Sequence, residues 1–186
     1  MSVPDSAIRY RQLGGDEVRA DATLRRRLGA VYADAFGMPP YDGTPESGDA
    51  WAEDGLVRHA GYPGFSLAVA ERDDELLGFA YGLLGAEDQW FTRTLRERLH
   101  AGVQAAWVGG HGELVELAVV SAARGAGIGG QLHDDALAQL WSAGVPTVLL
   151  AVHIDAAPAR ALYRSRGWQP LGHIGADTLL LGQLAR

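Results

Sequence analysis

The sequence contains no cysteine, no lysine and no asparagine among its 186 residues. Without cysteine, a disulfide framework, a thiolate zinc site and a cysteine nucleophile are excluded. All 16 basic residues are arginine, so a lysine-dependent phosphate loop and Schiff-base chemistry are excluded as well. Only metal ligation by histidine and carboxylate side chains stays open. These absences by themselves exclude several enzyme mechanisms.

Long apolar runs and excess positive charge are also missing. No stretch approaches the roughly 18 consecutive apolar residues of a membrane span. Residues 1–13 lack the basic and then apolar organisation of a signal peptide. We therefore expect a cytoplasmic protein without a membrane partner. The net charge of −7 argues against a nucleic-acid partner, because duplex binding needs a basic surface.

The length and the 47% hydrophobic content predict a single domain over residues 1–186. Short apolar runs predict strands, and apolar residues at helical spacing predict helices. The predicted strands are 8–13, 65–72, 76–84, 113–120 and 147–153, followed by a closing hairpin within 168–186. The predicted helices are 17–36, about 50–60, 90–103, about 127–142 and about 156–166, and 38–49 is predicted to be a loop. This order predicts an α/β (α+β) fold: a mixed central sheet, mostly antiparallel, with one parallel βαβ crossover and helices on both faces.

Four glycines lie within residues 125–130, at the turn between the strand 113–120 and the following helix. Glycine is costly inside regular structure, so this cluster predicts that a ligand approaches the backbone closely. The free N–H groups and the dipole at the start of a helix favour an anion. We therefore expect the ligand to carry phosphate.

A dinucleotide is one candidate for that ligand. Gly125, Gly127 and Gly130 satisfy G-x-G-x-x-G, and Asp155 ends the next strand, where a dinucleotide-binding oxidoreductase has its ribose-binding acid. Against this alternative, about 110 residues precede the strand that leads into the turn, whereas a dinucleotide fold usually begins with this strand and turn and continues through several βαβ units.

Two motifs point to another family. Residues 124–129, RGAGIG, match R/Q-x-x-G-x-G/A, and residues 159–168, ARALYRSRGW, resemble A-x-x-L-Y-x-x-x-G-F. Together, and in this register, they resemble the two signatures of the GNAT superfamily of acyl-CoA-dependent N-acetyltransferases. The sequence departs from the family where asparagine and proline are common, with Ala156 and Ser121 in their places.

The resemblance implies a GNAT-like fold and transfer of an acetyl group from acetyl-CoA, as co-substrate, to a primary amine by direct attack in a ternary complex. It implies no metal. The backbone of Leu117, Ala118 and Val119 would align the pantetheine arm, with the Val119 N–H polarising the thioester carbonyl. The pyrophosphate would be held by the Arg124 side chain and by the backbone of Gly125, Ala126, Gly127, Ile128, Gly129 and Gly130. A non-catalytic acyl-CoA-binding module on the same fold is an alternative.

Three side chains are candidates for the proton transfers of such a reaction. Tyr163 would protonate the departing thiolate, or else it is a core tyrosine. Glu113 and Glu116 are the acids of an otherwise apolar strand, where an unpaired charge is costly. Either one is a candidate base, although Glu113 could instead cap the end of the strand. Three residues apart in a strand, the two point to opposite faces unless a bulge intervenes.

No motif identifies the acceptor, which is expected to be a small-molecule or peptide amine; a homodimer is compatible with the resemblance. His153 could reach the acceptor, although a structural role is favoured, and the other histidines show no i, i+4 pairing that predicts a metal site. Apolar residues cluster in segments that line the acceptor cleft in this family: Tyr32, Phe36, Met38, Tyr41, Trp51, Trp90 and Phe91. With Asp49, Glu53, Glu87 or Asp88 nearby, they would suit a hydrophobic or cationic amine.

Overall fold

The computed structural model describes residues 7–185; residues 1–6, part of the segment tested for a signal peptide, lie outside this range. The strands are β1 Arg9–Gly14, β2 Ser66–Arg72, β3 Glu75–Leu84, β4 Gly112–Val119, β5 Thr147–His153, β6 Gln169–His173 and β7 Thr178–Leu184. They form one seven-stranded sheet in the order β1-β2-β3-β4-β5-β7-β6. Only β4 and β5 pair in parallel among these strands. The predicted mixed sheet is therefore confirmed, and the several parallel units of a dinucleotide fold are not found within 7–185.

The helices are α1 Gly15–Ala20, α2 Ala22–Phe36, α3 Pro45–Ala50, α4 Leu56–His59, α5 Trp90–Arg98, α6 Ala101–Trp107, α7 Ile128–Ser142 and α8 Ala157–Ser165. A π-helical turn, Trp51–Gly55, joins α3 to α4, and a 3-10 turn, Ser121–Ala123, follows β4. None of the helices between residues 7 and 185 has the length and apolar character needed to cross a membrane.

Two predicted helices are divided in the structure. The prediction of one helix over 17–36 is wrong because the Asp21 side chain accepts a hydrogen bond from Leu24 N at 2.9 Å and starts a new helix, α2, there. The prediction of one helix over 90–103 is wrong because Leu99 has extended backbone angles and separates α5 from α6. Apolar spacing alone shows neither interruption.

The predicted loop 38–49 contains the start of α3. The Thr44 hydroxyl accepts a hydrogen bond from Ser47 N at 3.2 Å, and the Ser47 hydroxyl accepts one from Thr44 N at 2.8 Å. Pro45 occupies the first helical position, where its missing N–H has no consequence. Thr44, Pro45 and Ser47, residue types that predicted a loop, therefore mark the start of a helix.

Helices cover both faces of the sheet, and alternate residues of each strand supply the two cores. On one face, here called the α7 face, Leu132 of α7 packs in the same core as Ala80 of β3. On the other, the α2 face, Leu28 of α2 packs with Phe79. There α5 and α6 extend the helical layer over β5 and β7.

The parallel strands separate soon after they pair. Their ladder contains two pairs, Gly112 with Val148 and Glu113 with Leu149. The rest of β4, residues 114–119, pairs with β3 on one side and with no strand of the described chain on the other. The sheet therefore opens between β4 and β5. In this β4–β5 gap, backbone groups of β4 are free to bind a ligand.

Candidate active site at the gap between two strands

A bulge in β4 places both strand carboxylates on the same face of the sheet. Tyr81 and Leu83 of β3 are two residues apart and therefore point to one face. They pair with Glu116 and Glu113, and Val115 is the unpaired extra residue between these partners. Both carboxylates consequently lie on the α2 face, whereas an unbulged strand would have put them on opposite faces.

Two cavities meet at the β4–β5 gap. The first, the glycine-loop cavity, has a volume of about 400 Å³ and is lined by residues 114–119, by the start of α8 and by every residue of 123–130 except Ala126. The second, the aromatic cleft, has a volume of about 900 Å³ and lies on the α2 face. Their linings share Phe36, Tyr41, Leu114, Val115, Glu116, Ala151 and Val152. A ligand in one cavity can therefore contact a ligand in the other.

The backbone of the glycine loop requires two of its glycines. Gly125 and Gly127 both have a φ of +82°, a left-handed conformation that residues with a Cβ rarely adopt. Gly127 precedes α7 and supplies no side-chain cap, so the first N–H groups of α7 are free at the cavity. Gly130 has a different role, because a Cβ there would lie 2.4 Å from Nη2 of Arg166. The loop geometry suits a phosphate anion.

Arg124 joins the two sides of the cavity mouth. Its Nε donates to the Val119 carbonyl oxygen at 3.2 Å, and its Nη2 donates to the Ala35 carbonyl oxygen at 2.8 Å. A guanidinium carries five N–H donors, so these two bonds leave others for a ligand. The side chain is exposed and lines the cavity. Arg124 thus both orders the loop and presents positive charge to it.

The direction of the β4 backbone follows from the residue after the strand. Val120 N donates to the Leu77 carbonyl oxygen at 2.9 Å, toward β3. Because backbone groups alternate in direction along a strand, the N–H groups of Val119 and Leu117 point into the gap, and that of Ala118 points to β3. Of the backbone groups of residues 117–119 that are expected to align a ligand, those of Leu117 and Val119 therefore face the gap, while those of Ala118 contribute to the sheet.

Glu116 lies where the two cavities meet, and its carboxyl group interacts electrostatically with four tyrosines. Burial raises the pKa of its carboxyl to about 8. Burial is also the largest cause of the raised pKa values of Tyr32, Tyr41, Tyr81 and Tyr163, and the charge of Glu116 adds to each of them. Glu116 is therefore a carboxyl group that exchanges its proton in the alkaline half of the physiological range, in contact with both cavities.

Glu113 is held by its neighbours. It is 5% exposed, and its Oε1 accepts a hydrogen bond from Thr92 Oγ1 at 3.3 Å and lies 3.3 Å from His111 Nε2. His111 Nδ1 accepts a hydrogen bond from Gly109 N at 3.1 Å, so in a neutral ring the proton is on Nε2, facing Glu113. Because Thr92 belongs to α5, Glu113 connects α5 to β4. Sequence analysis did not associate Thr92 or His111 with Glu113, since no short spacing relates them.

Tyr163 lines the glycine-loop cavity from α8 and is 8% exposed. Burial, then Glu116 and Tyr41, raise the pKa of its phenol, which therefore keeps its proton at neutral pH. Ala156 directly precedes α8 and supplies no side-chain cap. Because alanine stands here where the family often has asparagine, this wall of the cavity carries no side-chain amide at that position.

The aromatic cleft contains most of the apolar residues expected there. Trp90 stands out because it is 70% exposed. Met38 lines the glycine-loop cavity instead, and Trp51 stacks on Tyr32 with ring centroids 4.5 Å apart, within the packing under the cleft. The remaining expected residues line the cleft: Tyr32, Phe36, Tyr41 and Phe91.

The polar lining of the cleft differs from the expected one. Glu53 forms an ion pair with Arg25, and Glu87 forms one with Arg96; neither lines the cleft, nor do Asp49 and Asp88. The acids that do line it are Asp42, Glu97, Glu113 and Glu116.

Two histidines line the cleft. His153 Nδ1 accepts a hydrogen bond from Asp155 N. His59, which sequence analysis did not single out, has its Nδ1 2.8 Å from the Tyr81 hydroxyl. Residues 7–185 contain no group of three histidine, aspartate or glutamate side chains arranged to hold a metal ion.

Comparison with known proteins agrees with this geometry. A family model described as the acetyltransferase (GNAT) family matches residues 28–168. Mycothiol acetyltransferase from Parafrankia sp. (strain EAN1pec) is 34% identical over 169 residues, which cover 89% of this chain. The matched region is 47% of that relative, so the chain spans about half of its length.

Solved structures share the fold at low sequence identity. PH1933 from Pyrococcus horikoshii OT3 superimposes with a TM-score of 0.70 at 21% identity, covering 97% of this chain and 99% of that one. PaiA N-acetyltransferase from Thermoplasma acidophilum, solved in complex with coenzyme A, has a TM-score of 0.62 at 14% identity, covering 96% and 99% of the two chains.

Proposed function

Because the chain belongs to the GNAT acetyltransferase family, we propose that it transfers an acetyl group from acetyl-CoA to a primary amine within a ternary complex. The observation that carries the proposal is the position of Glu116, in the lining of both the glycine-loop cavity and the aromatic cleft. An acetyl donor bound in the first cavity and an amine bound in the second would meet beside this carboxyl group. Direct transfer needs such a meeting point, and without cysteine a thiol acyl-enzyme intermediate is excluded.

Acetyl-CoA would bind mainly to backbone. The pyrophosphate would lie at the start of α7, where N–H groups from Gly127 to Gly130 line the cavity, with Arg124 beside it. The pantetheine arm would run along the gap against the free N–H groups of Leu117 and Val119. The Val119 N–H would donate to the thioester oxygen and stabilise the negative charge that develops there.

The transfer would use one base and one acid. The amine nitrogen attacks the thioester carbonyl carbon, the C–N bond forms, and the nitrogen loses its proton to Glu116 directly or through water. The C–S bond then breaks, and the thiolate takes the phenolic proton of Tyr163. The proton held by Glu116 then returns to the phenolate through water, which restores both groups. Glu113 would serve the acceptor side by holding α5 in place, since Thr92 of α5 already donates to its Oε1.

The cleft favours an amine with an apolar body. Its wall carries aromatic side chains, including the exposed ring of Trp90, on which an apolar or cationic group would pack. We therefore expect phenethylamine to be a better acceptor than ethylamine, with a lower KM at similar kcat.

Three measurements test the proposed function. Acetyl-CoA should raise the melting temperature, whereas NAD and ATP should not. A panel of primary amines should yield acetylated product, and initial velocities at varied amine and acetyl-CoA should give intersecting double-reciprocal lines. Stabilisation without turnover on any amine would instead support a non-catalytic acyl-CoA-binding module. Parallel lines would contradict the ternary complex.

A further inference from the structure

His133 is a buried histidine of α7 whose two ring nitrogens are both occupied. It is 1% exposed. Its Nε2 accepts a hydrogen bond from Trp168 Nε1 at 2.8 Å, and its Nδ1 lies 2.7 Å from Asp134 Oδ1. An indole N–H only donates, so Nε2 carries no proton and Nδ1–H donates to the carboxylate. These contacts select one neutral tautomer and one ring orientation for His133.

The ring of Tyr163 packs against this pair. Its centroid lies 6.1 Å from that of His133 and 5.9 Å from that of Trp168. The rings of His133 and Trp168 meet edge to face at 6.0 Å. Three buried rings thus form a cluster, and Tyr163 is the member that lines the glycine-loop cavity. The orientation of its phenol depends on the two rings behind it.

The same contacts extend to the start of α7. Arg166 holds the Asp134 carboxylate through two bonds, of 2.7 and 3.2 Å. Its guanidinium also occupies the space beside Gly130, in the first turn of α7. A chain of bonds from Arg166 through Asp134 and His133 to Trp168 therefore joins this helix to the end of α8.

We propose that His133 is a positioning residue that holds the Tyr163 phenol toward the departing sulfur. The proposal rests on the proposed function, in which Tyr163 gives its proton to the thiolate. His133 neither gains nor loses a proton in this step. Its neutral ring supplies the acceptor that the buried Trp168 N–H requires, and the oriented Trp168 and His133 rings set the position of the phenol.

Single variants test the contacts. His133→Phe keeps a ring and removes both nitrogens. We expect kcat to fall roughly tenfold, because small displacements of a catalytic group are costly. KM for acetyl-CoA should change by less than about twofold. His133→Gln retains an acceptor and a donor and should recover most of kcat. The double variant His133→Phe/Trp168→Phe leaves no buried indole N–H without an acceptor. If it melts at the wild-type temperature and kcat is still low, the loss of activity comes from a displaced Tyr163 phenol and not from unfolding. If His133→Phe does not fold, Trp168→Phe replaces it in the same measurements.

The decisive measurement repeats His133→Phe in a Tyr163→Phe background. If His133 acts through the phenol, the second substitution should lower kcat by less than about twofold there. A tenfold loss that persists without the phenol would overturn the positioning role and leave the role of Tyr163 intact. Wild-type kcat in Tyr163→Phe alone would overturn the acid assignment and the positioning role together, while the acetyl transfer itself would stand.

Discussion

The glycine-loop cavity is built largely from backbone, whereas the chemistry of the aromatic cleft is built from side chains. In the first, free N–H groups of α7 and β4 surround the space, and φ of +82° at Gly125 and Gly127 shapes it. In the second, carboxyl and aromatic groups from α2, α5 and β4 converge. A site that binds through backbone can keep one shape for one ligand. A site that binds through side chains can change its ligand by substitution.

The largest effect is expected when the Glu116 carboxylate, which lines both cavities, is removed. Glu116→Gln should lower kcat/KM by roughly 10²-fold or more, the usual scale for loss of a general base. Glu113→Gln is the matched control, because it makes the same replacement of a carboxylate by an amide on the same face of β4. We expect it to change kcat by less than about threefold and mainly to raise KM for the amine, because α5 is held less firmly. Equal activity of both variants and wild type would assign proton removal to solvent or to a residue such as His153.

A charge placed in the glycine loop should affect the first cavity alone. Gly127→Glu combines the cost of a side chain at positive φ with repulsion of phosphate, and we expect at least about a tenfold loss of acetyl-CoA affinity by calorimetry. Gly144→Glu is the control, because Gly144 has a φ of +80° beyond the other end of α7. It should lose comparable stability and no affinity. Equal affinities in the two variants would contradict the phosphate site.

Arg124→Ala gives a smaller effect on the same cavity. The variant loses one charge and two bonds that order the loop, and we expect acetyl-CoA affinity to fall about fivefold to tenfold, with the fold retained. Calorimetry at low and high salt measures both the loss and its electrostatic part. An unchanged affinity, together with the expected loss in Gly127→Glu, would leave the backbone as the pyrophosphate site.

The pH dependence of activity and stability should report the ionisation of Glu116, where the two cavities meet. Because the pKa of Glu116 is raised to about 8, its basic form accumulates as pH rises through 8, and kcat/KM should rise with it. The ordinary carboxyl pKa is about 4.5, so between pH 4.5 and 8 the folded protein keeps a proton that the unfolded chain has lost. Stability should therefore fall as pH rises from about 4.5 to about 8 and level off above that. Glu116→Gln should therefore raise the melting temperature by a few degrees at pH 9 and leave it unchanged near pH 4.5. Identical melting curves at pH 9 would show that the carboxyl group is not enclosed.

The smallest expected effect lies at the mouth of the aromatic cleft. Trp90→Ala removes an exposed ring from the start of α5, and we expect KM for phenethylamine to rise about fivefold, with little change for ethylamine. Leu184→Ala, which shortens another exposed apolar side chain outside the cleft, is the control. An equal change in KM for both amines would show that the ring stabilises α5 and does not contact the acceptor.

Much of the fold could be predicted from local patterns. The strands and α7 lie close to their predicted bounds, because apolar periodicity reports which side of an element is buried. The breaks at Asp21 and Leu99 were missed since they depend on individual side-chain and backbone conformations. The helix after Thr44 was missed because proline and serine occur in both loops and helix starts.

The backbone half of the candidate site follows from the local residue pattern. Glycines at positive φ and free N–H groups at the start of α7 are local properties, so the residue pattern of 124–130 is enough to indicate a phosphate ligand. The side-chain half depends on contacts between distant segments. The bulge at Val115 and the divergence of β4 from β5 result from pairing between distant segments, and no local pattern specifies them. Only that pairing puts Glu113 and Glu116 on one face, brings Glu113 to the Thr92 hydroxyl, and leaves Glu116 facing both cavities.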